Sequence, residues 1–111
     1  QVSGLIDMDG PLAVHHEARI ELATAVEYVD QERPGHGRLL LLRYREALQE
    51  ATEFPSLGLR LPGYPRKLDV RRHLLRQFEY SIIVATVRGK RMIVSVAFHR
   101  NRPGYWEDRL R

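Results

Sequence analysis

The side chains best suited to chemistry in this sequence are cationic and come late: Arg71, Arg72, His73 and Arg76 in one stretch, and His99, Arg100 and Arg102 after another. Guanidinium groups offer forked donors that match phosphate or carboxylate oxygens, and histidine titrates near neutral pH. One chemistry open to such a set is phosphodiester cleavage, with His73 or His99 activating a hydroxyl while Arg72, Arg76 and Arg100 neutralise the phosphate. The other is a docking surface without chemistry of its own, to which Tyr80, Tyr105 and Trp106 add large rings with polar tips. Two plainer roles stand beside these. Lys and Arg on an edge strand discourage aggregation, and an aromatic pair near a C-terminus can pin that segment to a sheet.

Charge is divided along the chain. Residues 1–62 hold 6 Lys/Arg against 10 Asp/Glu, whereas residues 63–111 hold 12 against 4. A basic half of this kind attracts phosphates, acidic protein segments or anionic surfaces. Cysteine is absent, which suits a reducing compartment and excludes thiol catalysis, iron–sulfur clusters and cysteine zinc sites. His15 and His16 are adjacent, so on a strand they point to opposite faces, and no other spacing completes a metal site. Neither metal nor cofactor is expected. No apolar run approaches the roughly 20 residues that span a bilayer, and the N-terminus lacks the basic region and apolar core of a secretion signal. A cytoplasmic protein without membrane contact is expected.

Residues 1–10 show no period and read as an N-terminal segment that is added, trimmed or a loose arm; residues 11–111 read as one domain. Pro11 to His15 is apolar enough for a short strand. Ala18, Leu22, Ala25, Val26 and Val29 recur at helical spacing until Arg33-Pro34-Gly35, and Leu40, Tyr44, Ala47, Leu48 and Ala51 do so until Phe54-Pro55. A short Pro-Gly link makes these an antiparallel helical hairpin. The stretch from Pro55 to Pro65 reads as a loop. Three strands follow: Leu68 to Arg76, Tyr80 to Val87 and Arg91 to Phe98, the last two joined by Arg88-Gly89-Lys90. Tyr80 to Val87 is apolar on both faces and therefore central. Strict alternation puts Met92, Val94, Val96 and Phe98 on one face of the last strand, with Ile93, Ser95, Ala97 and His99 on the other. The expectation is an α+β fold: a helical hairpin of acidic sign on a mainly antiparallel, roughly four-stranded sheet, with a possible short C-terminal helix. Arg72 and Arg76 share a strand parity, so the strand cations are expected to gather in one cleft.

Five segments in order carry a family resemblance: His15-His16-Glu17-Ala18, Glu32-Arg33-Pro34-Gly35, Glu53-Phe54-Pro55-Ser56-Leu57-Gly58, the run from Val70 to Ile83, and His99-Arg100-Asn101-Arg102-Pro103-Gly104-Tyr105-Trp106. Together they resemble the RelE/ParE toxins of type II toxin–antitoxin modules, particularly the ParE-like branch, from about Leu12 to Leu110. The resemblance implies a cognate antitoxin, bound in a hetero-oligomer through an acidic amphipathic tail. It further implies a target-contact or antitoxin-contact surface at Arg71, Arg72, Arg76, Tyr80, His99, Arg100, Arg102, Tyr105 and Trp106. RelE-like members cut messenger RNA on the ribosome, using second-strand lysines, an arginine after the third-strand tyrosine, and an arginine and tyrosine near the C-terminus. In this chain Arg72 and Leu74 stand near the lysine positions, Ser81 follows Tyr80, and only Arg100 with Tyr105 fits well. If the chain were a nuclease, its set would be Arg72, His73, Arg76, His99, Arg100 and Tyr105. ParE-like members instead inhibit DNA gyrase by contact, for which no catalytic set is needed. A toxin homologue that only binds its antitoxin would leave the same trace.

Overall fold

The computed structural model describes residues 12–111, so the arm at residues 1–10 and Pro11 of the first strand lie outside the described residues. Strand β1 (Ala13–Val14) leads into helix α1 (His16–Glu32) and helix α2 (His36–Glu53). Four further strands follow: β2 (Leu59–Arg60), β3 (Arg71–Leu75), β4 (Tyr80–Val87) and β5 (Lys90–Phe98). Short 3-10 turns sit at Pro55–Leu57, Arg66–Leu68 and Glu107–Leu110. The sheet order is β1-β5-β4-β3-β2. All neighbours run antiparallel except β1, which lies parallel to β5.

The helices begin and end on side-chain chemistry visible in the sequence. His15 Nδ1 accepts from the Glu17 amide at 3.0 Å, capping α1, and the buried stripe is Ala18, Leu22 and Ala25. At the hairpin Gly35 takes φ 94°, and Asp30 Oδ1 accepts from the amides of Gly35 and Gly37 at 2.9 and 3.1 Å. A carboxylate from the end of α1 thus satisfies the first free amides of α2. Gly37 is needed there for space, because a Cβ would sit 2.9 Å from the Val26 carbonyl oxygen. Leu40, Tyr44, Ala47 and Ala51 then seat α2 on the same core.

Both faces of the sheet are covered. Leu75, Ile82, Val84, Ile93 and Val96 meet the helices, while Val70, Ile83, Ala85, Val87 and Val94 form a second core with Trp106. Strand β4 lies in the middle of the sheet, as its two apolar faces require. Two expectations are corrected. The sheet has five strands, because Leu59–Arg60 pairs with Arg71 and Arg72 from within the proline-rich loop. The third strand is shorter than its composition suggests, since Arg66–Leu68 forms a turn and Asp69 takes φ 42° before β3 starts.

Strict alternation in β5 also fails, for one reason. The partners of Ile83 and Val84 are Ser95 and Ile93, so Val94 is an extra residue in the ladder. The bulge moves Met92 and Val94 to the outer face with Ala97, while Ile93 and Val96 face the helices. It occurs where β1 has ended, leaving the Val94 carbonyl and Val96 amide facing the sheet's edge. Glu21 of α1 and Arg109 of the last turn satisfy them: Arg109 Nη1 donates to the Val94 carbonyl at 3.0 Å, and the Val96 amide donates to Glu21 Oε1 at 3.0 Å. Arg109 and Glu21 also form a two-pronged ion pair at 2.9 and 3.0 Å. Ser95 Oγ and Tyr105 OH complete the carboxylate's shell at 3.0 and 2.8 Å.

Glu21→Ala strands a largely buried guanidinium and an edge amide at once. It is expected to lower the unfolding free energy by about 3 kcal/mol, read from a denaturant curve with circular dichroism. A loss under about 1 kcal/mol would show that water replaces the carboxylate without cost.

Candidate functional site

A cleft of about 270 Å³ opens on the sheet face away from the helices, at the end where β4 begins and β5 finishes. Its rim carries Arg72 from β3 and Arg102 from the C-terminal segment; its wall includes Ser81, His99, Tyr64 and Tyr105. Neither the Arg72 nor the Arg102 side chain has an ion pair or hydrogen-bond partner among the described residues, and both residues are exposed. The cleft therefore presents unneutralised cations above an apolar floor.

His99 is the one histidine set into the wall. Its Nε2 lies 2.7 Å from Ser81 Oγ, and the ring also donates to the Tyr80 carbonyl. With that N–H committed, Nε2 accepts the serine proton. Burial, then the charge of Arg72, holds the imidazole below its usual range, so the ring is neutral at pH 7. A neutral ring with both nitrogens engaged is a fixed wall element rather than a free proton carrier. Ser81 itself is fully buried beneath it.

His73 lies elsewhere. It is 1% exposed on the helix-facing side, with Nδ1 2.7 Å from Glu50 Oε2 and Nε2 without a partner. Gly58 closes over that nitrogen, since a Cβ at position 58 would clash with it. The two histidines expected to serve one reaction are thus on opposite faces of the sheet. A second hollow of about 460 Å³ follows the open edge of β3 and is lined by Arg43, Glu50, Leu57, Arg72, Leu74 and Arg76, among others. Arg76 has left the strand by then and stands in the turn after it, so shared parity with Arg72 does not bring it to the cleft.

The other expected contact residues are dispersed by local partners. Arg71 donates to Asp69 at 2.9 Å and to the Gly58 carbonyl at 2.8 Å. Asp69 also pairs with Arg60 at 3.0 Å and Arg91 at 3.5 Å, so one carboxylate absorbs three arginines. Arg100 points to solvent and pairs with Glu79 at 3.2 Å. Tyr80 faces the helices, its ring tilted against that of Phe98 with centroids 5.1 Å apart. Trp106 is 4% exposed and lies against Tyr64 at 5.7 Å, which makes it core rather than contact surface. Tyr64 in turn donates to Glu107 at 2.6 Å, and burial together with that bond pushes its hydroxyl up to about 12. The single cationic cleft is therefore corrected to a smaller one, formed by Arg72 and Arg102 with His99. The acidic sign belongs to α1 alone, which has five carboxylates against one arginine, because α2 balances three against three.

Sequence reasoning missed Glu21 altogether and read Ser81 only as a replaced arginine. A signal for Ser81 existed: it pairs with Ala97, two residues before His99 on the same face, which is diagonal reach across an antiparallel pair. Among the described residues no group of three or more His, Asp or Glu could hold a metal ion, and no helix is long and apolar enough to cross a membrane. Comparison with protein-family models, curated proteins and solved structures finds no match.

The lowered His99 titration has a definite sign. Between its folded midpoint and the ordinary value near 6.5 the unfolded chain binds more protons, so His99 costs no stability above that window and destabilises progressively as pH falls through it. Proton NMR of the His99 ring is expected to show a midpoint below 6.5, moving upward in Arg72→Ala. A midpoint unmoved by that substitution would mean that Arg72 does not face the ring.

Proposed function

We propose that this chain is the toxin of a type II toxin–antitoxin module, ParE-like in action: a cytoplasmic protein that inhibits DNA gyrase by contact and is neutralised by a cognate antitoxin. The observation that carries the reading is the separation of the candidate acid–base groups. His73 is sealed on one face of the sheet and His99 is locked to Ser81 on the other, while Arg72 and Arg102 stand unpaired at a cleft rim. A binding surface needs charge and shape there, not a mobile proton. The element order, a short strand, a helical hairpin and an antiparallel meander, is compatible with this reading. The antitoxin would bring an acidic amphipathic segment, matched to the open β3 edge with its exposed Leu57, Leu59 and Leu74 beside Arg72 and Arg76.

One observation favours a RelE-like, ribosome-dependent endoribonuclease instead: Arg72, His99 and Arg102 do share a concavity where a phosphate would fit. The two readings separate in a paired assay. Purified chain is expected to inhibit gyrase supercoiling and to leave a message on translating ribosomes intact, with Arg72→Glu/Arg102→Glu weakening inhibition about tenfold or more. Cleaved message with unaffected gyrase would establish the nuclease. Neither effect would leave a homologue that only binds its antitoxin.

A further inference from the structure

We propose that the β4–β5 hairpin end of the sheet is a second anion surface, separate from the cleft, that binds the phosphate backbone of duplex DNA without reading bases. Arg88 and Lys90 flank the hairpin turn at Gly89, and Arg66 and Lys67 belong to the 3-10 turn before β3. All four side chains are exposed, and none has a hydrogen-bond or ion-pair partner among the described residues. Arg91 holds the two segments at the same end of the sheet. Its Nη1 donates to the carbonyls of Leu68 and Asp69 at 3.3 and 2.8 Å, and Leu68 packs in the outer core with Val87 and Met92. Asp69, the acid adjoining this end, is already shared by three arginines.

The turn itself points to use of the charge. Val87 pairs with Lys90, so the loop is the two residues Arg88 and Gly89, with φ 53° and 76°. Two positive φ values make the tight hairpin turn that Asn-Gly adopts without strain. Arginine in the left-handed region is strained, and its exposed side chain makes no hydrogen bond or ion pair among the described residues in return. A cation is presented here at a cost to the backbone.

The rest of this end selects the ligand class. Exposed large apolar side chains lie on the helices, between Phe54 and Leu59, and at Leu74, none of them at the hairpin, so nothing is available to insert into a lipid layer. Tyr64, the aromatic ring nearest to Arg66 in sequence, is held by Trp106 and Glu107, which leaves no free platform for stacking unpaired bases. Cations without rings or apolar wedges suit regularly spaced phosphates on a duplex. The surface lies at the opposite end of β4 from Ser81 and the cleft, so it does not depend on the toxin reading.

The test is fluorescence anisotropy of a labelled duplex of about 20 base pairs with the full chain, from about 50 to 200 mM salt. Binding is expected to be indifferent to sequence, with log K falling against log salt at a slope of about −3. Arg88→Glu/Lys90→Glu is expected to weaken it about tenfold or more and to flatten the slope, while Arg72→Glu/Arg102→Glu, an equal change in net charge, retains most of the affinity. Arg88→Asn keeps the fold independently testable, because it relieves the turn while deleting one cation: weaker binding with a raised melting temperature is expected. The proposal is overturned by no duplex binding at the lowest salt, by equal losses from the two paired variants, by preference for single strands, or by tighter binding to acidic phospholipid vesicles. Gyrase inhibition is read on the cleft variant, so either proposal can fail alone.

Discussion

The carboxylate of Glu21 holds together three parts of the chain that are far apart in sequence. Its two oxygens receive Arg109, Tyr105, Ser95 and the Val96 amide, so one side chain of α1 ties the helical layer, the bulged edge of β5 and the last turn of the chain. The bulge makes this necessary. Once Val94 is added to the ladder beyond the end of β1, a carbonyl and an amide face the edge without a strand to pair them, and leaving them unsatisfied in a largely buried setting would cost more than the pairing gains. Arg109 and Glu21 solve both at once and neutralise each other. With Arg109 in place, Trp106 is carried into the outer core and Tyr105 becomes a wall of the cleft.

The cleft is therefore a consequence of how the C-terminal segment is anchored. Its floor is sheet, its far wall is the segment that Glu21 retains, and its cations are those that no local carboxylate has claimed. Asp69 illustrates the rule from the other side. By taking Arg60, Arg71 and Arg91 it stabilises the entry to β3 and removes three guanidinium groups from any recognition surface. Among the described residues of the second half, the cations that remain unpaired are sorted into three places: Arg72 and Arg102 at the cleft, Arg76 beside the open edge of β3, and the four cations at the hairpin end. A net excess of positive charge in the second half of the chain is thus not one field but several local ones, each with its own neighbours.

His73 and His99 show why residue type alone does not identify a catalytic group. Both are imidazoles near arginines in sequence. Burial against Glu50 and Gly58 makes one a packing element, whereas the Ser81 hydroxyl and the Tyr80 carbonyl make the other a fixed, neutral wall. The same holds for Trp106, whose ring was attractive as an anchor for a partner and is used instead against Tyr64.

Local regularities were legible without coordinates because each is set by near neighbours. The helical stripes, the break at Arg33-Pro34-Gly35, the stop at Phe54-Pro55, the central position of Tyr80–Val87 and a turn within Arg88-Gly89-Lys90 all follow from periodicity and backbone preference within a few residues. The two-residue strand β2 was not, since two residues have no period and are held only by pairing with Arg71 and Arg72. Nor was the Val94 bulge, which decides the face of Met92, Val94 and Val96 and depends on a glutamate and an arginine 88 positions apart. The amino-acid order by itself determined the two helices and the long strands, and that cationic groups are plentiful in the second half. Only the tertiary structure decided which of those groups stay unpaired, because a charge is free or spent according to the carboxylates and carbonyls that folding places beside it.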